Sequence, residues 1–193
     1  MNSIDPVLEL AKSCHYEKGH SHQVTKLALK LFDQLKDLHG FGDKEKFLLE
    51  SAGILHDIGW VKGRQGHHKT ARDIIMNSEA LPFNSEEKLI VALVARYHRR
   101  ALPQDTHKYY ADLDALLKNK ICVLAAFLRT ADGLDRSHMN LIQNLSCDIL
   151  SERIILKLKA SKTPALEIEV GKQKADLLEQ VFKRDLVIQW FSN

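Results

Sequence analysis

A histidine and an aspartate stand side by side in Leu55-His56-Asp57-Ile58-Gly59. At the end of an apolar helix both side chains can turn toward one metal ion. His20 lies upstream in a helical pattern, and Asp132 lies downstream in Leu128-Arg129-Thr130-Ala131-Asp132-Gly133-Leu134-Asp135. Imidazole and carboxylate together suit a divalent transition metal (Mn, Fe, Co, Ni or Zn) better than Ca, which takes oxygen alone. The set points to metal-assisted hydrolysis with Asp57 at its centre. The basic residues around it point to a phosphorylated substrate.

Asp132 is the telling member. It sits in the apolar run Ile121 to Leu134, where an unpaired carboxylate is expensive, so a metal or a salt bridge must compensate it. His67 and His98 each read alone as a surface or capping histidine. Together with the first four they supply the imidazoles of a second metal. Two ions about 3.5–4 Å apart can share a bridging carboxylate, and Asp57 is the natural bridge. His68 points to solvent if His67 points inward, because helix neighbours sit about 100° apart. His15, His22, His39, His107 and His138 are read as non-ligands. Lys69, Arg96, Arg99 and Arg100 are candidate phosphate binders, since guanidinium forks match phosphate; for any one of them a solvated basic face is an equal reading. Arg129 and Arg136 flank Asp132, so one can reach the site while the other pairs with Asp135. Glu50 and Asp135 are candidate leaving-group acids. Gly59, Gly63 and Gly66 do not match the phosphate-loop spacing. Cys122 and both tryptophans read as core.

Helices must position these groups. Pro6 opens a short one through Cys14. Val24, Leu27, Ala28, Leu31, Leu35 and Leu38 repeat at helical spacing from His20 to about His39, and Gly40 and Gly42 stop it. Asp43 caps a helix leading to His56-Asp57. Helices follow from His67 to about Asn77, from Ser85 toward His98, and through Ile121, Leu124, Ala125, Leu128 and Asp132. After about Asn144 the pattern changes. Ile154, Leu156 and Leu158 alternate with charges, as do Leu166, Ile168 and Val170, predicting two strands around a turn at Ser161 to Pro164. Lys172 to Phe182 is helical and Leu186 to Trp190 closes as a strand. The expectation is a mainly α fold: a helical metal-binding domain over residues 1–144 and a small α+β (β-β-α-β) appendage over 145–193.

The 193 residues fit one domain with such an appendage. The formal charge of +3 agrees with an anionic ligand but is too weak to imply nucleic acid. No apolar run reaches membrane-spanning length, and Met1 to Pro6 lacks the marks of a signal peptide. Cys14, Cys122 and Cys147 are widely spaced with no CxxC, the pattern of reduced thiols in a cytoplasm.

These residues, in this order, resemble the HD superfamily of metal-dependent phosphohydrolases. The likeness is carried by His20, Leu55-His56-Asp57-Ile58-Gly59 and Ala131-Asp132. Further stretches are similar to the C-terminal HD region of the exopolyphosphatase and guanosine pentaphosphate phosphatase (Ppx/GppA) family. They are Leu29 to Leu35, Gly66-His67-His68-Lys69, Val94 to Pro103, Leu128 to His138, and the tail Val181 to Ile188. The resemblance implies a helical HD core with His20, His56, Asp57 and Asp132 as first-metal ligands, and His67 and His98 at the positions that supply a second. In full-length exopolyphosphatases catalysis belongs to an N-terminal actin-like ATPase-fold domain, which these residues do not include, so the expected chemistry is that of the HD site alone. The leading expectation is an exopolyphosphatase-related phosphohydrolase acting on a nucleotide, a guanosine polyphosphate or polyphosphate. The alternatives are a non-catalytic polyphosphate- or alarmone-binding regulatory module, and a structural domain forming a homodimer through its tail.

Overall fold

The computed structural model describes residues 3–192. Its helices are α1 (Asp5–Ser13), α2 (Lys18–Gln34), α3 (Lys36–His39), α4 (Asp43–Leu55), α5 (His67–Asn77), α6 (Ser85–Arg96) and α7 (Ala115–Gly133). A 3-10 turn, Ile58–Lys62, joins α4 toward α5. Then come β1 (Ile142–Ile149), β2 (Arg153–Ala160), α8 (Ala165–Gln173), α9 (Asp176–Phe182) and β3 (Asp185–Phe191). The fold is mainly α with a small three-stranded sheet near the C-terminus, as the hydrophobic periods predict.

α2, α4, α6 and α7 pack around a common interior, with α5 against α6 and the 3-10 turn. Leu27, Leu31, Leu48, Leu55, Leu93, Leu124, Phe127 and Leu128 are buried there, each contributing roughly 1.5–3 kcal/mol by leaving water. Asp114 starts α7 by accepting a hydrogen bond from the Leu117 N–H at 2.8 Å, a cap that fixes where Asp132 falls five turns later. α2 and α4 approach so closely that a β-carbon on Gly53 would lie 2.5 Å from Thr25 Oγ1. This contact sets His20 beside His56.

The sheet order is β1-β2-β3, with β1 antiparallel and β3 parallel to β2. α8 and α9 both pack on α7, and Leu145, Leu156, Leu158 and Leu178 join the same core as the helices. The expected division at 144/145 falls inside β1.

Three local expectations are corrected. Residues 166–170 are helical, not a strand: the buried positions are Pro164, Glu167, Gly171 and Ala175, which recur at helical spacing. The alternation of Leu166, Ile168 and Val170 was too short a run to decide between the two periods. β1 escaped because a register shift between Ile142 and Asn144 breaks its alternation. The helix predicted from His20 to His39 ends at Gln34, and a one-turn α3 follows Leu35. The imidazole of His39 folds back to donate to the Phe32 carbonyl at 2.8 Å, satisfying an orphan of the broken end.

Candidate metal centre

Six side chains from five places in the fold converge on one buried point. His20 comes from the first turn of α2, Asp132 from the last turn of α7, and His56 caps the C-terminus of α4, with Asp57 next to it. His67 opens α5, and His98 lies just past α6. Asp57 stands in the middle. Its Oδ2 is 3.5 Å from His56 Nε2 and 4.0 Å from His20 Nε2. Its Oδ1 is 3.0 Å from His67 Nε2 and 3.4 Å from His98 Nε2. Asp132 Oδ1 is 3.2 Å from His20 Nε2 and 3.8 Å from His56 Nε2. The nitrogen and oxygen atoms of His20, His56 and Asp132 lie within 4.8 Å of one another, close enough to hold an ion, and so do those of His56, Asp57 and His98.

The far side of each imidazole fixes how its near side is turned. His56 Nδ1 faces the Gly53 carbonyl at 2.7 Å, His98 Nδ1 the Ala95 carbonyl at 2.6 Å, and His67 Nδ1 the Arg64 carbonyl at 3.0 Å. A carbonyl only accepts, so each Nδ1 carries the hydrogen and each Nε2 turns a lone pair inward. His20 Nδ1 is held by Asp135 Oδ2 at 2.8 Å. Outer partners of this kind orient metal-binding histidines. At His56 and Asp57 the inner faces then oppose acceptor to acceptor. His56 Nε2 and Asp57 Oδ1 are buried with no hydrogen-bond partner, and buried polar atoms are seldom left so. A cation between them removes the conflict, and the donor set suits a transition metal.

Charge in the cluster follows its partners. Burial opposes a charged His20, but hydrogen bonds to Asp132 and Asp135 outweigh it and raise the pKa to about 9. Burial depresses His98 to about 3, keeping its ring neutral. Burial alone would raise both carboxyls. Instead Lys174 and His20 hold Asp132 well below the usual carboxylate range, and the Asp57 carboxyl is lowered as well.

Above the cluster opens a cavity of about 310 Å³, lined by Trp60, Arg64, Arg99, Arg100, Arg136, His138 and Lys174 together with His20, Asp57, His98 and Asp132. Of the candidate phosphate binders, Arg99 and Arg100 reach it. Lys69 is exposed on α5 and does not line it, and Arg96 is buried with its guanidinium over the Tyr97 ring. Arg136 borders the cavity, whereas Arg129 pairs with Asp176 at 2.7 Å; neither pairs with Asp135. Asp135 is fully buried against His20, and Glu50 borders a separate surface hollow, so neither candidate acid faces the cavity. His68 is buried rather than solvent-facing.

Sequence reasoning missed four lining residues: Arg64, Lys174, His138 and Trp60. Lys174 bonds Asp132 Oδ2 from the link between α8 and α9. His138 stacks on His20 with centroids 3.8 Å apart and accepts orientation from Glu17, 2.9 Å from its Nδ1. Trp60, read as core, is 42% exposed at the mouth. Lys174 and Trp60 had no signal in spacing; His138 had one, lying in the same run as Asp132 and Asp135.

Among the described residues no helix is long and apolar enough to cross a membrane. Residues 4–179 match the family model described as Ppx/GppA phosphatase, domain III.

Proposed function

The chain belongs to the Ppx/GppA phosphatase family, of which it carries domain III, and from that premise we propose that it is a metal-dependent phosphohydrolase of the HD type. Its substrate is a phosphoester or phosphoanhydride in a nucleotide, a guanosine polyphosphate or polyphosphate. The observation that carries this reading is the acceptor conflict at Asp57: the Nε2 atoms of His56, His67 and His98 converge on one buried carboxylate, and His56 Nε2 and Asp57 Oδ1 have no hydrogen-bond partner.

His20, His56, Asp57 and Asp132 would hold one divalent ion, and Asp57, His67 and His98 a second. An ion held there would supply charge against phosphoryl oxygens and acidify a water, the chemistry of metal-assisted hydrolysis. Asp135 and the three backbone carbonyls keep the imidazoles turned inward. Arg99, Arg100, Arg136 and Lys174 line the cavity on the substrate side, where preorganised positive charge stabilises a transferring phosphoryl group. Residues 1–144 supply these ligands, and the following segment supplies Lys174.

One observation favours a second reading. The Lys174 ammonium already neutralises Asp132, which suits a non-catalytic module that holds polyphosphate or an alarmone on the arginine rim. Metal content, followed by hydrolysis of a phosphate-ester panel with Mn, Co, Ni and Mg beside Asp57→Ala, separates the two. Turnover abolished by the substitution supports the enzyme. Tight binding of tripolyphosphate without turnover supports the module.

A further inference from the structure

The stretch that carries His98 has no regular structure of its own. α6 ends at Arg96, Tyr97 caps it, and Arg100 adopts a left-handed φ of 59°. Carbonyls at a helix end lack intrahelical donors. Here they are gathered by Arg129 of α7: Nη1 donates to the Tyr97 carbonyl at 3.4 Å and Nη2 to the Arg100 carbonyl at 2.9 Å. These two carbonyls bracket His98. Arg129 is 6% exposed, so its charge needs a partner. Asp176, the first residue of α9, provides it through both oxygens, at 2.7 Å to Nε and 3.0 Å to Nη2.

We propose that Arg129 and Asp176 are positioning residues for the metal centre, through which the C-terminal segment sets how tightly the His98 side holds its ion. The proposal rests on the metal reading above. The relay runs from α9 through Asp176 and Arg129 to the His98 loop, and ends where His98 Nε2 faces Asp57 Oδ1 at 3.4 Å. Two residues before Asp176, Lys174 fastens the same link to Asp132. The segment that looks like an appendage in the chain is thus tied to both ends of the centre.

Mn titration by calorimetry on the full chain tests this. Asp176→Ala should weaken one Mn-binding step about tenfold, the lower range for losing an outer-shell partner, and Asp176→Glu should recover most of the loss. Because Asp176→Ala strands a buried guanidinium, the paired variant Arg129→Met/Asp176→Leu removes both charges and should show the same weakening in a well-folded chain. Leu178→Ala, a core truncation on the same helix, should lower Tm yet keep Mn affinity within twofold of wild type. Wild-type affinity in the paired variant overturns the proposal alone, and so does an equal tenfold loss in Leu178→Ala. A wild-type chain that takes up no Mn overturns the metal reading and this proposal with it.

Discussion

A β-carbon on Gly59 would stand 1.9 Å from the backbone carbonyl oxygen of His67, so the turn after Asp57 and the start of α5 touch with nothing between them. The contact has a chemical consequence: it brings His67 Nε2 to 3.0 Å from Asp57 Oδ1. Gly59→Ala should therefore push α5 away, costing about 1–3 kcal/mol in stability by overpacking and loosening bound Mn at the same time. Urea denaturation and Mn titration on one sample check both effects. His67→Ala should lose Mn affinity with a smaller stability change, and a Gly59→Ala chain as stable as wild type would contradict the contact.

Asp135 acts through His20. It is fully buried, accepts from the Asn140 N–H at 2.9 Å, and holds His20 Nδ1 at 2.8 Å. Asp135→Asn keeps the shape but removes the charge that fixes the ring. The expected result is a roughly 10–100-fold fall in metal affinity, read by competition with a chromogenic chelator. Unchanged affinity would mean that His20 needs no such support.

The parts of this centre legible in the sequence are those whose cost is local. Asp132 in an apolar helix and His56-Asp57 before a glycine each announce an expense that only a ligand or a partner offsets. His67 and His98 are legible only beside them. Lys174 and Asp176 are not legible at all, because their partners, Asp132 and Arg129, lie more than forty residues away and meet them only after α8 and α9 pack on α7. The fold divides the same way. Long amphipathic helices such as α2, α4 and α7 declare their period over several turns. Residues 166–170 offer five positions, and there the buried Glu167, which accepts the Ser137 N–H at 3.1 Å, decides the outcome through a tertiary contact.

The cationic rim separates residues by position rather than by type. Arg136 lines the cavity while Lys69 does not. Arg136→Ala should raise KM for a phosphorylated substrate about tenfold, as expected for loss of one charge-assisted hydrogen bond, with kcat changed less. Lys69→Ala should leave both within twofold. Steady-state kinetics on the two variants decide it, and equal KM effects would mean that substrate extends onto the outer face of α5.

His39 gives a pH dependence that needs no metal. Its Nε2–H donates to the Phe32 carbonyl at 2.8 Å, and its Nδ1 accepts from the Phe41 N–H at 2.9 Å. The neutral ring is satisfied on both sides, and protonation would set a hydrogen on Nδ1 against another donor. Burial lowers its pKa; Lys36 lowers it further, while Asp33 and Glu45 and the Phe32 carbonyl pull the other way. The unfolded chain, with an ordinary histidine pKa near about 6.5, therefore binds more protons than the folded one below that pH. The contribution of His39 is fully present above about pH 6.5 and is lost as pH falls through the lower folded value. His39→Gln cannot titrate, so subtracting its denaturation midpoint from that of wild type isolates this contribution from the other histidines. The difference should be larger at pH 8 than at pH 5, and a difference that stays constant between them would refute the neutral, doubly bonded ring.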